Sequence, residues 1–382
     1  MALKKNLGQY FTTNVQLKQK MFELILNEPT LILEPSMGQG DLVEFISQKM
    51  SCVDFDLYEI DDEIKILDTI DKTNIKYCDF IQEPITKKYQ TIIGNPPYVR
   101  TKKGNLYIDF TKKCFDLLEE DGELLFIVPS DFTKLTSASK LLHEMMSRGT
   151  FTHMYHPHKE KMFENASIDI ILFRYCKNNS LKKQVLYNEE IQYITNSNGM
   201  ITFNSERCEN HFLFKDYFDI YVGIVSGKDD FFKNKTYGNI QVLNGYEKTE
   251  NYICIDTFPT MNEELNSYLL DNKELLMERG IKKFSEKNWF QWGALRNITT
   301  IRKNMGCDCI YLYNLTRKEE IAFTGKIGYF GGSLLMLKPK KVMDLTKIIS
   351  YLNSNVFKKN FLFSGRFKID HRQISHSFIP NL

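Results

Sequence analysis

Apolar and polar positions follow two alternating periods along the first half of the chain. Runs of aliphatic and β-branched residues, typical of buried strands, occur in "LILE", "VDFDLYEI", "NIKYCDF", "TIIG" and "GELLFIVPS". Between them, "NVQLKQKMFELIL" and "LYIDFTKKCFDLLEE" place apolar residues at helical spacing, the first with Asn14 as a possible N-cap. A helix at "SASKLLHEMMSRG" and strands at "FTHMYH" and "SIDIILFRYC" complete the series. The alternation predicts an α/β fold with a mostly parallel sheet covered on both faces.

The pattern changes after about residue 180. Short runs such as "DIYVGIVSG" are separated there by stretches rich in Asn, Gly and Lys, which indicates a smaller and more irregular α+β region. We therefore predict two domains, residues 1–210 and residues 211–382.

Composition places the chain among ordinary globular proteins, with 382 residues, 42% hydrophobic and 26% charged. "MALKKNLGQY" never develops the apolar core of a signal peptide, and no apolar run approaches the length of a membrane span. The eight cysteines are scattered, which favours reduced thiols and a cytoplasmic location.

Basic residues are concentrated in the second region. Residues 211–382 hold 25 Lys and Arg against 18 Asp and Glu, which leaves 25 against 30 for residues 1–210. This excess favours a polyanionic partner for the second region. Basic residues that neutralise phosphates release bound counterions, and that release contributes affinity that does not depend on sequence. The alternative is a solvated charged surface.

Metal binding is not expected. Cys307 and Cys309 form the one close cysteine pair, and no second ligand pair follows. The histidines of "HMYHPHKEK" (His153 to Lys161) stand beside lysines and a proline, which favours a polar loop.

Four predicted strands are followed by residues that could bind a ligand or take part in catalysis. They are followed by "EPSMGQG" from Glu34, by Glu59 and Asp61, by Asp79 and Phe80, and by "NPPY" from Asn95. In doubly wound sheets, ligands bind beyond the carboxyl ends of the strands. "SMGQG" lacks the Gly-Lys-Ser/Thr of a P-loop, so a nucleoside cofactor without phosphates fits better than a nucleotide. A tight structural turn would explain the two glycines equally well.

These motifs, in this order, resemble the S-adenosylmethionine-dependent DNA adenine-N6 methyltransferases, in the subgroup whose cofactor motifs precede the catalytic one and whose recognition domain is C-terminal. The resemblance rests on "LGQYFTTNVQLKQKM", "LEPSMGQGDLVEFI", "NPPY" and "KMFENASIDIILFRY", with a weaker likeness at "YVGIVSGKDDFF". It implies a Rossmann-like methyltransferase fold with a C-terminal α+β target-recognition domain.

The resemblance also implies roles for single residues. Catalysis is expected from Asn95, Pro96, Pro97 and Tyr98, with Phe163 stacking on the flipped target base opposite Tyr98. The cofactor S-adenosylmethionine is expected to contact Tyr10, Thr12, Glu34, Ser36, Gly38, Gly40, Glu59, Asp79, Phe80 and Pro97.

Contacts with DNA are expected from the second region, where "ERGIKKFSEKNWFQWGALRN" mixes cations with aromatic rings. The predicted residues are Arg279, Lys282, Lys283, Trp289, Trp292 and Arg296. The alternative for the tryptophans is the core of a small domain.

The predicted function is site-specific methylation of adenine N6 in double-stranded DNA, by a monomer or weak dimer without membrane attachment. The resemblance implies the modification half of a restriction-modification system or a viral or phage counterpart, and a cognate restriction endonuclease acting separately is a possible partner. "NPPY" also occurs in enzymes that methylate RNA adenine or a glutamine amide, since each presents a planar NH2 group. A catalytically inactive DNA-binding subunit is the non-enzymatic alternative.

Overall fold

The computed structural model describes residues 10–101, 104–159, 162–163, 167–178, 183–205 and 212–379. The chain divides into two units, Met1–Glu209 with Lys359–Gly365, and Asn210–Lys358 with Arg366–Leu382. The functions assigned to the two predicted domains stay predictions.

The first helix begins where the sequence predicts. The Asn14 side chain caps it by accepting a hydrogen bond from the Leu17 N–H at 3.0 Å, and Leu17 and Met21 face the core. The helices of the first unit are α1 (Val15–Glu23), α2 (Asp41–Ser47), α3 (Leu106–Leu117) and α4 (Ser139–Arg148). The described residues thus contain the helices expected from the apolar spacing.

A ten-stranded sheet forms the centre of the first unit, in the order β12-β11-β10-β8-β9-β7-β4-β1-β2-β3. Its strands are β1 (Leu31–Glu34), β2 (Asp54–Glu59), β3 (Ile75–Tyr77), β4 (Tyr89–Gly94), β7 (Leu118–Pro129), β8 (Gly149–Tyr155), β9 (Ile170–Lys177), β10 (Gln184–Tyr187), β11 (Glu190–Ser197) and β12 (Met200–Asn204). A short pair, β5 (Arg100–Thr101) and β6 (Gly104–Asn105), lies outside it.

Strands β3, β2, β1, β4 and β7 run parallel. Their near-continuous apolar runs follow from burial on both faces, with Ile32, Leu33, Ile92 and Ile93 fully buried. Chain order reverses between β1 and β4, because β2 and β3 lie on one side of β1 and β4 on the other. Parallel strands bring their carboxyl ends to one edge of the sheet, which is where a doubly wound fold binds ligands.

Three strands extend the sheet beyond the segment that the sequence analysis assigned to it. β9 pairs antiparallel with β7 and β8, and β10 then adds to β8 and continues through β11 into β12. The hairpin between β10 and β11 turns at Asn188 and Glu189, and the next turns at Asn198 and Gly199; all four residues have positive φ. Such turns match the twist of paired strands.

Residues 359–365 belong to the first unit although the chain around them belongs to the second. Asn360, Phe361 and Leu362 are buried, and the Phe203 N–H of β12 donates to the Asn360 carbonyl at 3.2 Å. We call residues 359–365 the strap. It satisfies a backbone group of the outermost strand, which would otherwise be open to pairing.

The second unit is a mixed α+β structure built on the four-stranded antiparallel sheet β14-β20-β17-β19. Its strands are β13 (Phe212–Leu213), β14 (Phe218–Val222), β15 (Ile240–Gly245), β16 (Lys248–Tyr252), β17 (Asp308–Tyr313), β18 (Leu315–Thr316), β19 (Ala322–Lys326), β20 (Leu334–Pro339), β21 (Phe367–Lys368) and β22 (Phe378–Ile379). Its helices are α5 (Phe214–Tyr217), α6 (Asp229–Phe232), α7 (Glu263–Asp271), α8 (Lys273–Met277), α9 (Ile298–Lys303), α10 (Thr346–Asn353), α11 (Asn355–Lys359, whose last residue belongs to the first unit) and α12 (His371–Ser375).

Within the described ranges, every helix is too short or too polar to cross a bilayer.

Candidate active site

A cavity of about 540 Å³ lies at the carboxyl edge of the parallel strands. Residues that follow β1, β2, β3 and β4 all contribute to its wall. Among the predicted cofactor residues, those that line it are Tyr10, Ser36, Gly38, Glu59, Asp79, Phe80 and Pro97. The strand ends singled out in the sequence therefore meet around one space.

The turn after β1 requires its glycines. Gly38 has φ +59°, and a Cβ there would lie 3.3 Å from the Phe11 ring. Gly40 has φ +97°, and a Cβ there would lie 2.8 Å from Ile70 Cγ1. Both positions combine a left-handed backbone with close neighbours, so a larger residue would strain the turn that opens onto the cavity.

Glu59 organises the turn from the end of β2. One carboxylate oxygen accepts from the Gly38 N–H at 2.8 Å, and the other accepts from the Ile60 and Asp61 N–H groups at 2.9 and 3.0 Å. Three backbone donors therefore hold the carboxylate at the cavity wall, where its remaining lone pairs can accept from ligand hydroxyls.

Glu34 and Thr12 are placed behind the cavity rather than in its lining. Burial raises the pKa of the Glu34 carboxyl well above its usual range; the Glu59 carboxylate acts in the same direction, and the hydrogen bond from the Ser36 N–H opposes it. A Cβ at Gly94 would lie 2.9 Å from Glu34 Oε1, so the carboxyl group fits only beside a glycine. Gly40 likewise lies outside the lining and forms the N-cap of α2.

The turn after β3 presents Asp79 and Phe80. Phe80 is almost fully buried and stacks on Phe110 of α3, with ring centroids 5.5 Å apart. Lys113 of α3 donates hydrogen bonds from Nζ to three carbonyl oxygens of this turn, those of Phe80, Ile81 and Glu83. Helix α3 therefore fixes the part of the wall where an adenine ring is expected.

Asn95 follows β4 with its side-chain amide fixed in one orientation. Its Nδ2 donates to the Tyr10 carbonyl at 2.7 Å and to Thr12 Oγ1 at 3.1 Å. The amide nitrogen is therefore occupied, and Oδ1 is left as the acceptor. The Tyr98 hydroxyl lies 2.6 Å from Oδ1 and 3.1 Å from the Ile127 carbonyl, and burial raises its pKa well above the usual range, so it remains a donor.

Three aromatic rings meet beside Asn95. The ring centroids of Tyr10 and Tyr98 lie 5.4 Å apart, those of Tyr10 and Phe163 5.6 Å, and those of Tyr98 and Phe163 6.2 Å. The Tyr98 and Phe163 planes are inclined at 66°, so in this conformation they do not form two parallel walls for a base. Tyr10 packs against both rings, which the sequence did not indicate.

The expected DNA contacts of Trp289, Trp292 and Arg279 are corrected by the structure. Both indoles are buried in the core of the second unit, and Trp292 Nε1 donates to the Ile253 carbonyl at 2.6 Å. Arg279 is 6% exposed, and its guanidinium donates to four backbone carbonyls while lying 3.9 Å from the Phe284 ring centroid. These side chains hold the core together, as the alternative interpretation of the tryptophans allowed.

Lys282, Lys283 and Arg296 are exposed, and their contact with DNA stays a prediction. Lys282 Nζ also donates to the Trp292 carbonyl at 3.2 Å.

Several residues of the cavity wall were not singled out from the sequence. They are Phe11, Pro35, Ile60, Cys78, Ile81, Gln82, Val99, Thr101, Leu106, Asp109 and Phe110. Phe110 belonged to the predicted apolar stripe of its helix, and periodicity alone cannot separate a core face from a cavity wall.

The wall fits a nucleoside cofactor of the predicted kind. Ser36 Oγ is buried at the cavity and has no hydrogen-bond partner among the described residues. A buried hydroxyl costs free energy unless a partner is supplied, and a polar ligand would supply one. Glu59 offers carboxylate acceptors and Phe80 an aromatic surface in the same space. Over the described ranges, no three His, Cys, Asp or Glu residues are grouped as a metal site would need.

The chain is similar in sequence to known methylases. Residues 42–163 match the family model described as Eco57I restriction-modification methylase. The type II methyltransferase M.HindII of Haemophilus influenzae is 25% identical over 79% of this chain and 73% of its own length. The modification methylase CviBIII of Paramecium bursaria Chlorella virus NC1A is 32% identical over 33% of this chain, which spans 39% of that relative.

A similar fold occurs in a solved structure. The type IIL restriction-modification enzyme MmeI, solved in complex with DNA, aligns with a TM-score of 0.61 and 10% identity over 98% of this chain and 68% of its own. At that identity the likeness shows the fold alone.

Proposed function

From the confirmed resemblance to the restriction-modification methyltransferases, we propose that the chain transfers a methyl group from S-adenosylmethionine to N6 of an adenine in double-stranded DNA. The methyl group would come from the sulfonium centre of the bound cofactor. The finer parts of this proposal, the adenine target and its extrusion from the duplex, rest on Asn95 and the rings around it.

The orientation of the Asn95 amide is the observation that carries the proposal. Its nitrogen is occupied by Tyr10 and Thr12, and the Tyr98 hydroxyl donates to Oδ1. An amide oxygen has two lone pairs, so the second one can accept a hydrogen bond from a substrate NH2 group. The N6 lone pair of adenine is delocalised into the ring and is a poor nucleophile. Acceptors placed on both N6 hydrogens favour the pyramidal nitrogen that attacks a methyl group, which is electrostatic preorganisation.

The two prolines after Asn95 serve the same chemistry. Pro96 and Pro97 carry no N–H and have fixed φ, so the Pro96 carbonyl is held rigidly as the second acceptor for N6. Pro97 also lines the cavity, which brings the acceptors close to the expected cofactor. Positioning of this kind lowers the barrier by holding the reacting atoms in line.

Each part of the cavity wall has a role in holding the cofactor. Glu59 would accept from the ribose hydroxyls, and Phe80 with Phe110 would contact the adenine ring. Ser36 Oγ would gain its missing partner from the ligand. Glu34 would act from behind the turn, through its hydrogen bond to the Ser36 N–H.

Duplex DNA is the proposed substrate because the second unit is rich in basic residues and because MmeI, which shares the fold, was solved in complex with DNA. An adenine inside a duplex cannot reach Asn95, so it must be extruded. Since Tyr10, Tyr98 and Phe163 contact one another, an entering base must separate them.

The test is transfer of radiolabelled methyl groups from S-adenosylmethionine to mixed-sequence duplex DNA, RNA and protein extract, with identification of the product. We expect N6-methyladenine in DNA alone. Asn95→Ala should lower the rate at least about a hundredfold, as loss of a preorganised acceptor does. Asn74→Ala, which alters an exposed asparagine, is the matched control.

Methyl label found in RNA or in a protein glutamine instead of DNA would show that the proposed substrate is wrong. A methylation rate of Asn95→Ala equal to that of the wild type would show that Asn95 has no catalytic role. Sequencing of the methylated DNA would then give the recognition site. A separate restriction endonuclease as partner, a monomeric or weakly dimeric state and a cytoplasmic location remain parts of the same proposal.

A further inference from the structure

The segment that carries Phe163 begins and ends at polar side chains that the proposed reaction does not use. His156 directly follows β8, and Asp169 directly precedes β9. His156 Nε2 lies 2.6 Å from Asp169 Oδ1, and the His156 side chain is fully buried. We call this pair the loop clasp, because it joins the two ends of the connection that contains Phe163.

The clasp is fixed to the central sheet through Asp169. Ser130, at the end of β7, donates from Oγ to Asp169 Oδ2 at 2.8 Å. The Ser130 N–H also donates to the Asp169 carbonyl at 2.9 Å. Both carboxylate oxygens are therefore used, one by the clasp and one by β7.

The histidine is held on its other side as well. The Tyr187 hydroxyl lies 3.2 Å from His156 Nδ1, and Asn188 exchanges two hydrogen bonds with the His156 backbone, at 2.7 and 2.9 Å. In a neutral ring, Nε2–H donates to Asp169 and Nδ1 accepts from Tyr187. A ring bound at both nitrogens has one orientation.

Strand β7 also fixes the opposite side of the proposed base pocket. The Tyr98 hydroxyl lies 3.1 Å from the carbonyl of Ile127, three residues before Ser130. Tyr98 and the clasp are thus attached to the same short stretch of β7. Tyr98 and Asp169 therefore have hydrogen-bond partners only three positions apart, Ile127 and Ser130.

Closing a loop does not by itself require a polar pair. The His156 side chain is fully buried and the Asp169 side chain is 21% exposed, and an apolar pair of similar volume would avoid the cost of taking these groups partly out of water. A fully connected polar network fixes geometry more narrowly than apolar packing does. We propose that His156 and Asp169 are positioning residues that hold Phe163 where it stacks on the extruded adenine. This inference rests on the proposed function.

The test uses the full-length protein and a duplex that carries the site mapped with the wild type. Asp169→Ala should leave the affinity for S-adenosylmethionine unchanged and lower the single-turnover methylation rate about tenfold or more. Asp169→Asn keeps an oxygen acceptor for His156 Nε2–H and places an NH2 donor beside the Ser130 hydroxyl, which can accept, so it should recover most of the rate. His156→Phe breaks the same hydrogen bond with a ring retained, and Asp71→Ala is the control for loss of an exposed aspartate.

A double-mutant cycle separates positioning from general destabilisation. If the clasp acts through Phe163, Asp169→Ala combined with Phe163→Ala should be no slower than Phe163→Ala alone. A mismatched partner opposite the target adenine makes extrusion easier and should speed the clasp variants more than the wild type. It should not rescue Asn95→Ala.

The outcomes distinguish the two proposals. Two results with an active wild type would overturn the role of the clasp and leave the proposed function intact. One is an Asp169→Ala variant that methylates as fast as the wild type, and the other is additive rate effects of Asp169→Ala and Phe163→Ala in the cycle. Wild type that makes no N6-methyladenine would overturn the proposed function and the stacking role together.

Discussion

Two buried glutamates of the same sheet differ in how their charge is satisfied. Glu123 lies in the middle of β7, opposite Thr91 of β4, and is fully buried. It accepts hydrogen bonds from the Leu26 and Asn27 N–H groups, from Thr91 Oγ1 and from Arg174 Nε at 2.6 Å. Four donors, one of them cationic, replace the water that the carboxylate has lost.

Glu34, at the end of β1, is 1% exposed and receives one hydrogen bond among the described residues, from the Ser36 N–H at 3.3 Å. The ionised form of Glu34 is repelled by Glu59, and no cation among the described residues is paired with it, in contrast to Glu123. The sheet thus satisfies the carboxylate of Glu123 in its interior, whereas the carboxyl edge retains an incompletely satisfied carboxyl group, that of Glu34. Such imbalance is typical of functional sites, where a ligand completes the interactions.

Breaking the satisfied network should have the largest effect on stability. Glu123→Gln would leave the Arg174 guanidinium buried without its counter-charge, and we expect a loss of about 3 kcal/mol in the free energy of unfolding. Urea denaturation measures it, with Glu120→Gln, an exposed carboxylate on the same strand, as control. A loss no larger than that of the control would show that the network adds nothing.

A smaller effect, on binding rather than stability, is expected at Lys113. Lys113→Met removes the donor that holds three carbonyls of the turn after β3, so the affinity for S-adenosylmethionine should fall about tenfold. Lys112→Met is the matched control, since Lys112 pairs with the exposed Asp116 on the same helix. Calorimetric titration measures the affinity of each variant for S-adenosylmethionine. Equal affinities of Lys113→Met and Lys112→Met would contradict the expectation.

The smallest effect, and the opposite sign, is expected at Glu34. Its pKa is raised in the folded protein, so the unfolded chain releases this proton first as pH rises above 4.5. The folded state then binds more protons than the unfolded state, and this group's contribution to stability falls with rising pH up to the folded pKa. Glu34→Gln should remove that decline.

The measurement is the melting temperature between pH 5 and pH 8 without cofactor. The melting temperature of Glu34→Gln should rise relative to that of the wild type as pH rises. The melting temperature of Glu123→Gln at pH 8 should be lower than that of the wild type. A parallel pH dependence of wild type and Glu34→Gln would mean that the two carboxyl groups do not differ as described.

The sequence was sufficient to predict much of the first unit. Buried parallel strands have continuous apolar runs, and the Asn14 cap marks a helix start, so β1 to β4, β7 to β9, α1, α3 and α4 could be placed from local pattern. The extension β10 to β12 was missed because it follows a change in composition. Its hairpins turn at Asn188-Glu189 and Asn198-Gly199, of which only the second carries a turn glycine.

In the candidate site, too, some features could be predicted from local sequence and others could not. Strand ends could be grouped in advance because parallel strands share an edge, and Asn95 was chosen for its chemistry. The contacts of Tyr10 with Asn95, Tyr98 and Phe163 join segments far apart in the chain, and no local pattern contains them. Around Arg279, cations among aromatic rings predicted a DNA surface, yet the same composition forms a core in which the guanidinium packs on Phe284.

The strap has a consequence for how the protein is made. Leu362 packs into the main core of the first unit, but it is synthesised about 160 residues after β12, the last strand of that sheet. A ribosome must therefore translate almost the whole second unit before the first unit can close its core. A nascent chain released before residue 359 would carry every proposed catalytic residue and still expose the apolar surface that Leu362 covers.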